Sequence, residues 1–258
     1  MRDFLEGQSR SAALVRVVFS LACVGVAWQV LATLIVENRM LIVPPGDVLA
    51  SLVREARSGA LWTNALATIS AVGASFPVAV AMGIGLGLAL SSSRLFSLTA
   101  GPVLTAMYSV PVVALAPLFI AWLGLGFASK FVIVTLVSVF PILVTTEVGL
   151  RSTDRQLIEV ARSCNASQMQ IFATVTLPYA LPFIVSGVRV AWARALVGII
   201  VAEFFGSFAG FGFAILAAEQ TFDTGTLLAY VIILGGMGLA GSLAFEALER
   251  RLAPWRHE

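Results

Sequence analysis

The chain has 258 residues, of which 59% are hydrophobic and only 12% are charged. Soluble domains carry about 25% charged residues, so this composition excludes a soluble fold and makes a bilayer the expected solvent. A net charge of +2 without a basic run argues against nucleic-acid binding, and the separated Cys23 and Cys164 argue against a disulfide or a zinc site.

Six apolar runs are long enough to cross a bilayer, because a core of about 30 Å needs about 20 helical residues. They lie at residues 17–36, 65–90, 101–122, 129–150, 182–205 and 226–246. The first exceeds the roughly 7–15 apolar residues of a signal peptide, so we expect a retained helix. The runs are continuous rather than alternating, which predicts an all-α membrane protein and not a barrel.

The connection after the first run, PPGDVLASLVREARSG, predicts a short amphipathic helix over residues 46–58 at the outer surface. Asp47 is the expected N-cap, and Leu49, Leu52 and Val53 are expected to share one apolar face.

The second run contains GIGLGLAL at residues 83–90. This string has no strand before it, and the chain has no GxxxxGK[ST] motif, so no nucleotide-binding loop is predicted. Gly83 and Gly87 instead predict a close helix-packing face. The third run carries Pro102, Pro111 and Pro117, which predict a kinked helix.

The basic residues orient the spans, because cytoplasmic segments are enriched in Lys and Arg. With the N-terminus inside, ten basic residues fall in inner segments and four in outer ones, which predicts that both ends are cytoplasmic. The inner set is Arg2, Arg10, Arg16, Arg94, Arg151, Arg155, Arg162, Arg250, Arg251 and Arg256, and the outer set is Arg39, Arg54, Arg57 and Lys130. The segment 206–225 has no basic residue and is expected to be an outer loop. Arg189 and Arg194, near the inner end of the fifth span, remain unassigned.

A polar insert at residues 151–180 separates the fourth and fifth runs. Asp154 can cap a first helix, with Leu157, Ala161 and Cys164 on an apolar stripe that faces the spans. Glu159, Arg162 and Ser163 fall on the opposite face.

The rest of the insert predicts a turn and a second helix. Asn165 tolerates the left-handed conformation that ends helices, and Ser167 with Gln170 forms a capping box. Ile171, Phe172 and Val175 would form the apolar side of the second helix, which Pro178 is expected to end. On pattern alone, a solvated surface hairpin is an equally good interpretation of the insert.

The insert resembles the EAA loop of ABC importer permeases, whose pattern is E-A-A, three residues, G, nine residues and I-x-L-P. Glu159, Val160 and Ala161 occupy the first three positions, and Asn165 stands in place of glycine. Val175, Leu177 and Pro178 complete the pattern. In that family the loop is the coupling helix that docks on a cytoplasmic ATPase. The resemblance therefore implies a coupling site, with these members: Glu159, Val160, Ala161, Arg162, Ser163, Asn165, Leu177 and Pro178.

The segments PPGDVLASLV, SVPVVALAPLFIAWLGLG, FPILVTTEVGLRS, RALVGIIVAEFFG and ERRLAPWR are similar to permeases for aliphatic sulfonates, taurine and nitrate. The resemblance implies a type I importer fold in a bacterial inner membrane. It also implies a permease homodimer with two ATPase subunits and a periplasmic solute-binding protein. The permease itself would not be an enzyme and would bind no cofactor, because ATP and Mg²⁺ belong to the ATPase. A small anion is the first expected substrate, with a pyrimidine or thiamine precursor or another small solute as the alternative.

Polar residues within the spans are candidates for the translocation pathway, because charge in a membrane is expensive and usually functional. The candidates are Thr105, Tyr108, Ser109, Glu147, Arg189, Trp192 and Glu203. Hydrogen bonding between helices is the alternative for the three residues of the third span. For Glu203 the alternative is a helix-end residue that reaches the lipid headgroups.

Two other classes compete with an ATP-driven permease. An ion-coupled secondary transporter would need broken helices and carboxylates near mid-membrane, whereas Glu147 and Glu203 lie towards span ends. Such a transporter would also leave the insert unexplained. The second class is a structural or scaffold protein without transport, and an ATPase partner would distinguish the permease from both. No catalytic set or metal site is predicted, since His257 is the only histidine and stands next to the last residue.

Overall fold

The computed structural model of the chain describes residues 15–16, 19–20, 22–35 and 42–253. Within these ranges every regular element is helical, as the composition predicts. The described part contains four helices that are long and apolar enough to cross a membrane, or five if one bent pair forms a single span. Of the predicted first span, Ala22–Leu34 is a helix too short for that test. Residues 17, 18, 21 and 36 and both chain ends lie outside the described residues.

We number the helices in chain order. They are α1 (Ala22–Leu34), α2 (Pro45–Ser58), α3 (Ala60–Ser92), α4 (Arg94–Ser109), α5 (Ala116–Leu123), α6 (Phe127–Arg151), α7 (Arg155–Ser163), α8 (Gln168–Ile171), α9 (Leu177–Gly206), α10 (Phe211–Gln220) and α11 (Thr224–Leu252). Leu31–Ile35 and Phe172–Thr176 are π-helical, and Val112–Leu115 is a 3₁₀ turn. α9 begins five residues before the predicted fifth span, so Arg194 lies past its middle and not near its inner end.

The third predicted span is broken rather than kinked. α4 begins at Arg94, where the Ser93 hydroxyl accepts a hydrogen bond from the Phe96 amide, and the axes of Arg94–Ser109 and Val112–Leu123 differ by 75°. The break lies at Val110, whose backbone is extended. The residue before a proline avoids helical angles, so Pro111 ends α4.

Contacts divide the described chain into two compact units. One comprises the described residues up to Leu61 together with Ile215–Val231, and the other comprises Trp62–Ala214 together with the described residues from Ile232 onward. The core of the larger unit is formed by α3, α6 and α9. Its buried members include Val72, Phe76, Val134, Ile142, Ala191 and Ile199.

Close packing of α3 on α6 depends on two glycines one turn apart. A Cβ atom at Gly83 would lie 2.7 Å from Ile142 Cβ, and one at Gly87 would lie 2.6 Å from Thr146 Cβ. Both distances are shorter than van der Waals contact, so only glycine lets the two backbones come this near. The predicted packing face is therefore confirmed.

In the smaller unit, α2 is held by a polar cluster. Arg54 donates to Asp223 Oδ2 at 2.7 Å and to Thr226 Oγ1 at 2.9 Å, and the Tyr230 hydroxyl donates to Glu55 Oε2 at 2.8 Å. Arg54 is thus ion-paired.

One detail of the predicted amphipathic helix is wrong. Pro44 occupies the N-cap position, and Asp47 lies in the first turn. Leu49 and Val53 share a face, as predicted, but that face is exposed, and the buried side of α2 is formed by Val48 and Ser51.

The segment after α9 is more structured than the predicted loop. Residues 206–225 contain α10, which the turn at Gln220–Asp223 separates from α11. These residues are mostly apolar and include no basic residue. Their sequence therefore gave no sign of a separate helix.

Candidate functional site

The polar insert begins with a capped helix that projects exposed side chains. The Asp154 carboxylate accepts a hydrogen bond from the Gln156 amide at 2.8 Å, which confirms Asp154 as the N-cap of α7. Glu159, Arg162 and Ser163 are exposed, as is Val160 with 63% of its surface accessible. α7 therefore offers both charge and apolar surface to a partner.

The turn after α7 is a Schellman motif built on asparagine. Asn165 has φ +60°, its amide donates to the Arg162 carbonyl at 2.8 Å, and the Ala166 amide donates to the Ala161 carbonyl at 3.1 Å. These two bonds satisfy carbonyls that the end of a helix leaves without partners. The left-handed turn predicted at Asn165 is confirmed.

A capping box starts the second helix of the insert. The Ser167 amide donates to Gln170 Oε1 at 2.7 Å, and the Gln170 amide donates to Ser167 Oγ at 3.3 Å. The predicted box is therefore present. It fixes the direction of the chain as it leaves the turn, so α7 and α8 form a hairpin of defined geometry.

The second helix does not end at Pro178. It widens into the π-helical turn Phe172–Thr176, in which the Leu177 amide donates to the Phe172 carbonyl, and continues as α9. The helical path continues past Pro178, whose missing amide falls directly after the wider π-helical turn. The insert is consequently continuous with the longest described span, Gln168–Gly206.

The predicted apolar stripe of α7 is turned relative to the spans. Leu157 is 48% exposed and Cys164 is exposed, whereas Ile158 lines a cavity of about 220 Å³ together with Arg162 and Leu150. Ile158, the residue after Leu157, therefore faces this cavity instead. A nine-residue helix with so few apolar positions leaves the direction of its apolar side open.

A second cavity opens between α7 and the start of α9. It has a volume of about 420 Å³ and mostly apolar walls. Its lining residues are Leu157, Val160, Ala161, Thr174, Val175, Pro178 and Tyr179. Four positions of the EAA pattern thus meet at one concave surface: Val160, Ala161, Val175 and Pro178. Leu177 is half-buried beside it.

Glu203 anchors a buried network in the larger unit. Its carboxylate is fully buried and accepts hydrogen bonds from Lys130 Nζ at 3.2 Å, Thr68 Oγ1 at 2.9 Å and the Gly212 amide at 2.8 Å. The carboxylate does not reach the headgroups, so that alternative is wrong. Lys130, counted above as an outer-segment charge, is itself 5% exposed.

The same network holds the backbone that leads into α10. Lys130 Nζ also donates to the Ala209 carbonyl, Asn64 Oδ1 accepts from the Gly210 amide, and Thr68 Oγ1 accepts from the Phe211 amide, each at 2.9 Å. A Cβ atom at Gly210 would collide with the Glu203 carboxylate. Residues from three helices thus fix the chain at the end of α9.

The family is decided by comparison with known proteins. Residues 79–256 match the family described as the inner membrane component of binding-protein-dependent transport systems. The chain belongs to this family. It is an ABC importer permease, and it is a transport subunit rather than an enzyme.

Individual relatives of the permease span nearly its whole length. It is 37% identical to the riboflavin transport system permease protein RibX of Chloroflexus aurantiacus over 89% of this chain and 86% of that protein. It is 29% identical to the taurine transport system permease protein TauC of Escherichia coli over 93% of this chain and 89% of that protein. An inward-facing structure of the MetNI methionine ABC transporter shares the fold, with a TM-score of 0.64, 19% identity and coverage of 80% of this chain and 97% of the other.

Two of the three candidates in the broken third span form hydrogen bonds within their own helix, and the third packs against an aromatic ring of α6. The Thr105 hydroxyl donates to the Gly101 carbonyl at 2.9 Å, and the Ser109 hydroxyl donates to the Thr105 carbonyl at 3.1 Å. Both side chains are exposed, and the Tyr108 ring lies 5.7 Å from the Phe140 ring. Hydrogen bonds of Thr105 and Ser109 to another helix, the alternative considered above, are therefore not formed in the described part of the permease.

The remaining pathway candidates of the permease differ in their surroundings. Glu147 pairs with Arg151 at 3.1 Å near the C-terminal end of α6. Trp192 packs edge-on against Phe76 with ring centroids 5.4 Å apart, and its indole nitrogen is buried without a partner among the described residues. Arg189 is half-buried. A pathway role for these residues remains a prediction.

Proposed function

We propose that a homodimer of this permease forms the translocation pathway of an ATP-driven importer in a bacterial inner membrane. Each chain would contribute six spans with both ends in the cytoplasm. Two ATPase subunits would bind below, and a periplasmic binding protein would deliver solute above. The observation that carries this proposal is the exposed helical hairpin α7–α8, joined without a break to α9.

The hairpin has the surface of a docking element. Leu157, Val160 and Met169 are 48%, 63% and 75% exposed, and an exposed apolar cluster on a cytoplasmic hairpin favours a protein partner over simple solvation. Glu159 and Arg162 add charges that can set orientation at the rim of an interface. This exposed surface supports the proposal that the eight predicted coupling residues either contact the ATPase or hold the contacting residues in position.

Continuity with α9 supplies a mechanism for coupling. When ATP closes the two ATPase subunits, the docked hairpins would move with them. Because α8, the π-helical turn and α9 form one helical path, that movement would be passed to the spans as a rigid-body rotation. ATP and Mg²⁺ would stay on the ATPase, and this chain would bind no cofactor.

A small anion such as a sulfonate, taurine or nitrate is the substrate class that we favour. The taurine relative supports this class. The riboflavin relative supports the alternative, in which the same permease carries a neutral organic solute such as a vitamin or pyrimidine precursor. An ion-coupled transporter is disfavoured, because Glu147 and Glu203 are both paired with cations of the chain.

The Glu159→Arg variant tests the coupling site. The side chain is exposed, so the variant should fold and reach the membrane normally. We expect loss of ATPase co-purification in mild detergent and loss of uptake of the solute bound by the cognate binding protein, because the charge reversal places a repulsive charge at the rim of the docking surface.

A matched control is Glu219→Arg, the same charge reversal at an exposed position of α10 on the predicted outer side. It should retain the ATPase in the amount found for the unchanged chain. If Glu159→Arg also retains the ATPase and transports normally, the hairpin is not the coupling site.

A further inference from the structure

An arginine near the centre of α9 has no partner among the residues that the structure describes. Arg194 is exposed, and it makes no hydrogen bond or ion pair with any other residue that the structure describes. At 1.5 Å per residue it lies about 14 Å along α9 from Glu203 and about 25 Å from Leu177. Relative to a hydrocarbon core of about 30 Å that begins near the Lys130–Glu203 pair, this is the midplane.

The face that carries Arg194 is open in the single chain. Val190, one turn before it, is 47% exposed, and Val197, nearly one turn after it, is 52% exposed. The opposite face of α9 is packed in the core through residues such as Val188 and Ile199. An unpaired guanidinium at the midplane is too costly to face lipid, and intramembrane charges face a bundle interior or a watery cavity.

The helices that the structure describes offer no carboxylate at this depth. Helices α1, α3, α4 and α5 contain no acidic residue. The carboxylates in α6, α9 and α11 lie towards helix ends, and three of them are paired: Glu147 with Arg151, Glu203 with Lys130, and Glu246 with Arg250. Glu249 follows in the last turns of α11. A second copy of the chain in the same orientation has the same distribution, so it supplies no counter-charge either.

We infer that Arg194 binds the negatively charged group of the transported solute halfway across the membrane. This rests on the proposed function and narrows its substrate class to small organic or inorganic anions. A guanidinium presents two parallel N–H donors, which match two oxygens of a sulfonate, carboxylate or nitrate. Arg194 acts as a binding residue of the pathway, and its face of α9 borders water rather than lipid.

Cysteine labelling of the permease–ATPase complex in proteoliposomes tests this assignment without knowledge of the solute. The exposed Cys23 and Cys164 are first replaced by serine, and Val197→Cys then places a thiol beside Arg194. Two methanethiosulfonates of similar size are compared, the anionic ethylsulfonate and the cationic ethyltrimethylammonium. The ratio of their labelling rates is divided by the ratio of their reaction rates with free 2-mercaptoethanol.

We expect both reagents to label Val197→Cys and the anionic one to be favoured. Adding Arg194→Gln should lower the anion-to-cation ratio about tenfold, as a lost positive charge within about 10 Å predicts in a confined site. Arg194→Lys should keep most of the preference. Arg250→Gln, which removes a charge at the inner end of α11, should leave the ratio unchanged, and Ile199→Cys on the packed face should not react.

Two outcomes would overturn the inference. If neither reagent labels Val197→Cys, this face is covered by lipid or by protein. If labelling occurs without anion preference, Arg194 does not set the charge of the pathway. Both outcomes are measured on the single variant Val197→Cys, so the test can be completed even if Arg194→Gln fails to assemble. Failure of the importer proposal would appear separately, as a permease that purifies without an ATPase.

Discussion

At the scale of single residues, the burial of Glu203 determines its role. Its carboxylate has an ammonium and two further donors as partners, and Lys130 is almost as deeply buried. Removing one member of a buried ion pair leaves an uncompensated charge, whereas removing both leaves none. The pair is therefore expected to be strongly coupled energetically.

A double-mutant cycle measures this coupling. Glu203→Gln and Lys130→Met should each destabilise the permease by about 3–5 kcal/mol, because each leaves the other charge buried without its partner. The double variant should lose clearly less than the sum of the two single losses. The free energy of unfolding in mixed micelles is the quantity to measure, and additive losses would contradict a paired state in the membrane.

The partners of Glu203 could not be predicted from the sequence. Its position near the end of a span was right, but Thr68, Lys130 and Gly212 are joined to it only by the packing of separate segments. Local spacing carries no signal for such contacts. In contrast, the Asp154 cap, the Asn165 turn and the Ser167–Gln170 box were all predictable, because their partners lie within five residues.

At the scale of elements, Gly83 and Gly87 set the separation of α3 and α6. Gly83→Ala should destabilise the permease by about 1–3 kcal/mol, since its methyl group would overlap Ile142 in a packed interface. Thermal unfolding in detergent measures the loss.

Gly85→Ala is the matched control on the same helix. Its methyl group meets nothing within 4 Å, so this variant should be neutral or slightly stabilising. Equal losses in both variants would point to helix flexibility instead of packing.

The elements themselves were predictable where composition alone specifies them. Long apolar runs located α3, α6, α9 and α11, although three of the four helices extend beyond the predicted limits by four residues or more at one end. Prolines were less informative. Pro77 and Pro141 lie inside continuous helices, Pro111 ends one, and Pro178 begins one, so the outcome depends on whether neighbouring helices compensate for the missing amide.

At the scale of the whole molecule, low charge and high apolar content predicted a membrane protein, and the family match agrees. Pattern alone left the insert as either a solvated hairpin or a docking site, and the resemblance to permeases favours the docking site. Composition and family do not specify the substrate class. Our proposal of an anionic solute rests instead on Arg194, which has no partner among the described residues, and on the positions of the carboxylates in the described spans.

The orientation of the permease is a prediction from its charge asymmetry, and thiols on two exposed segments can test it. Arg151, Arg155 and Arg162 predict that the α7–α8 hairpin lies in the cytoplasm, because cytoplasmic segments are enriched in basic residues. The native Cys164 on this hairpin should react with a membrane-impermeant maleimide in inside-out vesicles and stay unlabelled in spheroplasts, once Cys23 is replaced by serine. Glu219→Cys, in a Cys164→Ser background, should show the reverse pattern, because residues 206–225 carry no basic side chain. Labelling of both thiols from the same side would reject the predicted topology, and with it the docking of the hairpin on a cytoplasmic ATPase.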